Sequence, residues 1–141
     1  MAHGRRASIP SRSTTVLALL ILSPLTALGA DPPSADAALI ADGARLYRHC
    51  IACHSLDKDG AHGAGPNLWG IFGSRAATKP DFAYSDEMAD SGITWSEASL
   101  GQFLESPAGL VPGTAMAFAG VADTAERRAL LAYLRRMTTA P

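Results

Sequence analysis

Both cysteines of this 141-residue chain stand in one short segment, next to a histidine. Cys50 and Cys53 are separated by two residues, and His54 follows immediately. Two thiols and an imidazole at this spacing can bind a metal ion, exchange electrons through a disulfide, or attach a cofactor. The segment is therefore the first candidate for a functional site.

Three interpretations leave part of this pattern unexplained. A zinc site needs four ligands, so two of His49, His54 and His62 would have to join the cysteines, and the usual second ligand pair is missing. A thioredoxin-like redox pair needs a βαβ context, and no strand pattern is visible. A structural disulfide between Cys50 and Cys53 would close a loop too short to remove much chain entropy.

Covalent attachment of haem accounts for all three residues. The two thiols add to the two vinyl groups of haem, and a spacer of two residues on a helical turn lets both reach one ring. The imidazole of His54 then faces the iron as an axial ligand. The cofactor expected from the motif is therefore one haem c, bound through two thioethers.

The iron of such a centre needs a sixth ligand or an open site. Met88 and Met137 stand in helix-like segments, where packing explains them. Met116 stands in the loop segment VPGTAMAFAG, where helix packing does not explain a methionine. Ligation by histidine and methionine raises the reduction potential and favours electron transfer over oxygen chemistry.

Two helical segments lie on either side of the long central loop. Residues 41–50 place apolar side chains at helix-like spacing and run into the cysteine motif. Ser85 is a candidate N-cap for a short helix, and Gly92 is its stop. Between them, residues 55–83 are rich in Gly, Pro, Asp and Ser and predict mainly loop.

Two further helices are predicted from capping pairs. Thr94 and Glu97 have the spacing of a capping box, and the helix after them should end before Pro107. Asp123 and Glu126 form a second cap pair ahead of the last helix. Its apolar stripe consists of Leu130, Leu131 and Leu134.

The fold class predicted is all-α, with three or four helices, because no useful length of sequence alternates with period two. The length of the chain suits a single domain. Loops this long are unusual in so small a domain unless something other than apolar side chains fills its centre. A bound haem would fill it.

The N-terminal residues have the composition of a secretory signal peptide. Arg5, Arg6 and Arg12 precede an apolar run at residues 16–30, which ends in small residues. That run is short for a bilayer span of about 20 residues, although an uncleaved anchor is the alternative. We expect residues 1–30 to be the signal peptide, with cleavage as late as residue 37, and residues 31–141 to be the functional domain.

Removal of this leader makes the chain mildly acidic. It keeps all 13 acidic residues and loses three of its 12 basic ones. An acidic surface argues against nucleic acid or anionic lipid as a partner.

The chain resembles the class I cytochromes c, the mitochondrial protein and its small periplasmic relatives. The resemblance rests on CIACH, GAHGAGPNLWGIFG, FAYS, GITW, FLESP, VPGTAMAFAG and LLAYLRRM, in family order and nearly family spacing. It covers almost the whole chain after the leader, from about residue 43 to residue 137. It implies the class I cytochrome c fold, with helices and long loops wrapped round one covalently bound haem.

The resemblance also implies the roles of individual residues. Cys50 and Cys53 would form the thioethers, while His54 and Met116 would be the metal ligands. Pro66 would orient the imidazole through its carbonyl. The other cofactor-binding positions would be Leu68 and Phe118 as apolar walls, Tyr84 and Trp95 as propionate donors, Thr114 near the same side, and Phe103. The first and last helices would cross at Gly43, Tyr47, Leu130 and Tyr133.

Some positions depart from the family pattern. Phe103 replaces a tyrosine that donates to the methionine sulfur, and Met88 replaces an asparagine of the same network. Ser74 takes the place of an arginine that faces a propionate, and the resemblance does not assign Arg75, one position away, to that role. The side of the haem that carries the methionine should therefore be more apolar than is usual.

The function implied is that of a monohaem electron carrier that cycles between Fe(II) and Fe(III), not that of an enzyme. We expect a periplasmic monomer without stable membrane insertion. Its partners would be redox proteins: a dehydrogenase, a bc1-type complex or a terminal oxidase. A haem subunit of a dehydrogenase, a haem peroxidase and a haem sensor are the alternatives, and the last two require a labile methionine ligand.

Overall fold

The structure is a computed structural model that describes residues 34–139, together with Met1 and Gly4. The chain divides into two units, Met1–Asp31 and Pro32–Pro141. The predicted signal peptide therefore lies almost entirely outside the described residues, and every site residue predicted from the sequence belongs to the second unit.

Five helices of unequal length occur in residues 34–139. Loops connect them, and the one sheet-like feature in this range is an isolated antiparallel bridge between Arg75 and Thr94. The prediction of an all-α fold is confirmed, although short helices bring the number above three or four. The helices are α1 (Ala35–Tyr47), α2 (Asp86–Asp90), α3 (Glu97–Glu105), α4 (Pro107–Leu110) and α5 (Thr124–Thr138).

Two of the predicted helix starts are confirmed by their side-chain caps. The hydroxyl of Ser85 accepts a hydrogen bond from the backbone N–H of Met88 at the start of α2. The carboxylate of Asp123 accepts one from the N–H of Glu126 at the start of α5. Each cap satisfies an N–H group that the first turn of a helix leaves without a partner.

The capping box predicted for Thr94 and Glu97 is wrong. Ser96 is the N-cap of α3, and its side chain exchanges hydrogen bonds with Ser99. Thr94 is held in extended backbone by its bridge to Arg75, so the helix begins after it. The carbonyl of Thr94 instead accepts a hydrogen bond of 2.7 Å from the Ser99 hydroxyl.

The first and last described helices pack directly against each other. A side chain at Gly43 would collide with the Ala129 carbonyl and lie 2.5 Å from Cβ of Tyr133. The rings of Tyr47 and Tyr133 meet nearby, with 5.5 Å between their centres. The close crossing that the resemblance implied is therefore present, and Leu130 within it is 1% exposed.

A cluster of buried apolar side chains links α5 to α3. Leu130, Leu131 and Leu134 form the predicted stripe on α5, and all three are buried. Leu100 and Phe103 of α3 belong to the same cluster. Loop residues such as Leu56 and Val111 belong to this cluster as well, so helices and loops share one core.

The long loop at residues 48–84 is ordered by polar side chains in place of regular structure. His62 accepts a hydrogen bond at Nδ1 from the N–H of Asn67 (2.9 Å) and donates from Nε2 to the carbonyl of Pro80 (2.8 Å). The buried amide of Asn67 donates to Ser55 Oγ and to the Asp57 carbonyl. His62 therefore connects the two halves of this loop, a role that the sequence did not predict.

No helix in the described part of the chain has the length and apolar character needed to cross a membrane.

Candidate functional site

The helices and the long loop enclose a cavity of about 360 Å³. Its wall is mainly apolar and includes every site residue predicted from the sequence. The structure thus brings together residues that lie up to 68 positions apart in the chain. These residues are Cys50, Cys53, His54, Pro66, Leu68, Tyr84, Trp95, Phe103, Thr114, Met116 and Phe118.

The cysteine motif forms a tight turn directly after α1. The N–H groups of Cys53 and His54 both donate to the carbonyl of Cys50, at 3.0 and 2.9 Å. One turn of backbone therefore presents both cysteine side chains to the same cavity. Burial raises the pKa of the Cys50 thiol, and the neighbouring Cys53 adds to this effect.

The imidazole of His54 is held in one tautomer. Its Nδ1 lies 2.7 Å from the carbonyl oxygen of Pro66. Because a carbonyl can only accept, Nδ1 carries the proton, and Nε2 keeps a lone pair for a metal ion. Burial lowers the pKa of His54, while the hydrogen bond to Pro66 acts in the opposite direction, so the net shift favours the neutral ring.

A glycine leaves room for this ring. A Cβ atom at Gly65 would collide with Cε1 of His54 and lie 2.8 Å from both ring nitrogens. The N–H of Gly65 also donates to the Cys53 carbonyl (2.9 Å). The backbone that precedes Pro66 therefore packs directly against the imidazole.

Met116 reaches the cavity from the loop that connects α4 to α5. A turn opens this loop, in which Thr114 N–H donates to the Val111 carbonyl (3.0 Å) and Gly113 has a φ of +91°. The loop returns to α3 through the N–H of Val121, which donates to the Leu104 carbonyl (2.8 Å). Met116 thus lies in a loop, as predicted, between two points that backbone hydrogen bonds fix.

Two side chains offer polar hydrogens to the cavity. Trp95 is 7% exposed, and its indole N–H has no acceptor among the described residues. Every fully buried side-chain nitrogen or oxygen in that range has a hydrogen-bond partner. The indole nitrogen of Trp95 has none, so it must be accessible from outside the protein, and Trp95 lines the cavity. Burial raises the pKa of Tyr84, which keeps its hydroxyl protonated, whereas a hydrogen bond from the Lys79 backbone lowers it.

The departures from the family pattern also lie on the cavity wall. The ring of Phe103 is buried against Trp95, with 5.1 Å between ring centres. Met88 is buried and lines the same cavity. The hydroxyl of Ser74 donates its proton to the Ile71 carbonyl (2.8 Å), three residues earlier, so this proton is already used in a local hydrogen bond.

Three basic residues of the wall were not assigned by sequence. His49, Arg75 and Lys79 also line the cavity. The ammonium of Lys79 donates to the carbonyl of Trp69. A basic residue in an irregular loop has no periodicity, so only the course of the loop reveals that it faces the site.

The residues present fit haem c. Two thiols on one turn, a neutral imidazole with a free nitrogen, and a thioether supply the expected donor set, and the rest of the wall is mostly apolar. By contrast, no group of three or more His, Cys, Asp or Glu residues that could hold a metal ion occurs in the described ranges. That finding gives no support to a zinc site within residues 34–139.

An all-α domain with these four side chains round an apolar cavity defines a class: small proteins that attach a flat prosthetic group covalently. A family model for cytochrome c matches residues 40–138. The chain is 41% identical over 97 residues to cytochrome c2 iso-2 of Magnetospirillum fulvum, covering 69% of this chain and all of that protein. It is 38% identical over 110 residues to cytochrome c of Chlamydomonas reinhardtii (77% and 96% covered). It is 38% identical over 112 residues to cytochrome c2 of Blastochloris viridis (79% and 88% covered).

The chain therefore belongs to the cytochrome c family. It is a monohaem c-type electron carrier with one covalently attached haem, and it works with redox partners rather than as an enzyme. The three alternatives raised from the sequence, a dehydrogenase subunit, a peroxidase and a sensor, gain no support from these relatives.

Proposed function

We propose that this chain is an exported electron carrier whose haem is held by Cys50 and Cys53 and whose iron is ligated by His54 and Met116. One observation supports this most directly. A single cavity gathers both cysteine side chains, an imidazole whose Nδ1 proton is fixed by Pro66, and the thioether of Met116.

Haem supplies a one-electron Fe(II)/Fe(III) couple when it is bound. The chain's contribution is to keep the ligand set unchanged in both oxidation states, so that little has to rearrange when an electron arrives. Pro66 fixes the orientation of His54, and the short turns round Met116 restrict the thioether. The apolar side chains of Leu68, Phe103 and Phe118 exclude water from the wall.

Two further parts of the wall have defined tasks. Tyr84 and Trp95 can donate hydrogen bonds to the carboxylates of haem, which need partners in a cavity of low polarity. The exposed position of Cys53 brings the thioether side closest to solvent, and we assign the passage of electrons to this side. No acid or base is required by this reaction.

We further propose that residues 1–30 are a signal peptide and that the mature protein works in the periplasm. The hydroxyl of Ser34 accepts a hydrogen bond from Ala37 N–H and caps α1. Cleavage after residue 37 would remove this cap and the first turn, so we favour a mature N-terminus upstream of Ser34. The mass of the exported protein tests this assignment.

The partners proposed are a dehydrogenase, a bc1-type complex or a terminal oxidase, each meeting a monomeric carrier. Export and a mildly acidic chain are the features that support partners outside the cytoplasm. Reduction and oxidation of the purified protein by membranes with and without specific inhibitors of these enzymes would separate the three.

The ligand assignment is tested with three methionine variants. Met116→Ala should abolish the near-infrared absorption band of a sulfur-ligated ferric haem, while the haem stays covalently attached. Met88→Leu and Met137→Leu are matched controls that should keep the band. Retention of the band in Met116→Ala would refute Met116 as the ligand, and loss of haem on acid–acetone extraction would refute the thioethers.

A further inference from the structure

The charged side chains on the cavity wall are all of one sign. Arg75 and Lys79 line the cavity, and no Asp or Glu does. Neither cation forms a salt bridge with any residue in the described ranges. Cations without carboxylate partners at the edge of an apolar cavity suit an occupant that brings its own negative charge.

Lys79 is the more confined of the two cations. It is half-buried, whereas Arg75 is exposed. Its ammonium donates to the carbonyl of Trp69, which uses one of its three donors and leaves two available. The ammonium is therefore tethered to the backbone of the residue that follows Leu68, which lines the cavity, and it does not move freely in solvent.

Lys79 and Tyr84 belong to the same segment of the cavity wall, which also includes Phe82 and Ala83. The segment is also fixed from outside, because His62 donates to the Pro80 carbonyl and packs edge-on against Phe82. The ring of Phe82 in turn packs against Tyr84, with 4.8 Å between ring centres.

We propose that Lys79 supplies the positive charge that pairs with a propionate of the haem, next to the neutral donors Tyr84 and Trp95. Ser74, on the same wall, cannot contribute a charge, and its hydroxyl already donates to Ile71. Arg75 adds a weaker contribution because exposed charges are screened by water and salt. This inference rests on the proposed haem site and adds to it the residue that neutralises the carboxylate.

The pairing has a consequence for the reduction potential. An ammonium beside the propionate keeps that carboxylate ionised and cancels its field at the iron. Without the ammonium, the uncompensated negative charge stabilises the ferric state and lowers the midpoint potential. It also makes the carboxylate easier to protonate, so the midpoint potential becomes dependent on pH.

The experiment compares three variants of the intact holoprotein by equilibrium redox titration from weakly acidic to weakly alkaline pH. Lys79→Gln should lower the midpoint potential at neutral pH and make it fall more steeply as pH rises. Lys58→Gln is the matched control, because Lys58 is exposed and does not line the cavity. Lys79→Arg keeps the charge and should keep the wild-type profile. His49 also lines the cavity and has no assigned role. It is unchanged in all three variants, so any effect it has on the midpoint potential is the same in each.

Equal shifts in Lys79→Gln and Lys58→Gln would overturn the proposal, since a general surface charge would then explain both. If Lys79→Gln does not assemble, Lys79→Arg decides the question, because a changed potential in that variant contradicts a charge pair. Haem retained on denaturing gels and the near-infrared band are recorded in every variant. Their loss in wild-type protein would refute the haem site itself, and their presence with no effect at Lys79 would refute this inference alone.

Discussion

The imidazole of His54 depends on an uncharged partner. Pro66 accepts the hydrogen bond from Nδ1 through a neutral carbonyl. The ring is therefore oriented without the increase in basicity that a carboxylate partner would cause. Gly65 is the residue that lets this backbone approach the ring. At the scale of single residues, the site therefore relies on close packing as much as on hydrogen bonding.

Replacement of Gly65 by alanine should displace the His54 ring. The added Cβ would overlap the imidazole, and overpacking of this kind costs about 1–3 kcal/mol. We expect a weakened or lost near-infrared band and a lower free energy of unfolding. Gly101→Ala is the control, because its Cβ would meet only a flexible Leu131 methyl at 3.4 Å. An unchanged band in Gly65→Ala would show that the ring does not occupy this position.

Tyr47 makes stability dependent on alkaline pH. Its hydroxyl donates to the His54 carbonyl (2.6 Å), and burial, the largest cause, raises its pKa from 10.0 to about 12. Between these values the unfolded chain loses the proton and the folded chain keeps it. The free energy of unfolding should therefore fall as pH rises through this range.

Tyr47→Phe should lack this fall. At neutral pH the variant should be less stable by about 1 kcal/mol, because one hydrogen bond is lost. Denaturant unfolding at increasing pH should show the gap to wild type narrowing as the pH approaches 12, the raised pKa. Tyr133→Phe should keep the alkaline fall. A gap of constant size would mean that Tyr47 does not titrate as described.

At the scale of elements, the crossing of α1 and α5 is the most extensive contact between helices in the described residues. The helices meet where Gly43 faces Ala129 and Tyr133, and the apolar stripe of α5 lies buried behind them. α1 ends at Tyr47, and the cysteine turn follows immediately. The position of the attachment site is thus set by this one helix pair.

Gly43→Ala should destabilise the fold without altering the ligands. The added methyl would meet the Ala129 carbonyl, so the helices must separate, at a cost of about 1–3 kcal/mol. Thermal unfolding of the holoprotein measures the loss. The near-infrared band should remain at neutral pH, in contrast to Gly65→Ala. Stability equal to wild type would show that the crossing has room for a side chain.

The sequence predicted the structure correctly where a local pattern has a local physical cause. Caps at Ser85 and Asp123 were predictable because their side chains act on the next turn of the same helix. The start of α3 was mispredicted because pairing with a distant segment overrides the local signal of Thr94. The position of Lys79 was not predictable for the same reason, since long-range loop contacts place it at the cavity.

At the scale of the whole molecule, the methionine-loop side of the site presents an uncharged surface. Residues 106–122, which include the methionine loop, contain no charged side chain. We call the exposed members of this segment the neutral rim. They are Ser106, Ala108, Gly109, Pro112, Gly113, Ala115, Ala117, Ala119 and Ala122.

Docking through the neutral rim should depend little on salt. Steered association gains about 10- to 1000-fold in rate at low ionic strength, and a surface without charge gives no such gain. We expect electron-transfer rates with a partner to change far less than about 10-fold between low and physiological salt. Ala108→Lys with Ala115→Lys should introduce salt dependence with an acidic partner. A steep fall in the wild-type rate with salt would contradict docking at this surface.

The contact between α1 and α5 also governs the order in which the protein is assembled. α5 is synthesised after every other helix described, and α1 has no other helix packed against it in residues 34–139. A helix of 13 residues is marginal in water without a packing partner. We therefore expect the cysteine turn to stay flexible in the exported chain until α5 packs against α1, which leaves both thiols accessible for attachment to haem. Haem attachment then precedes the packing of α5 against α1, and this packing completes the domain round a haem that is already bound.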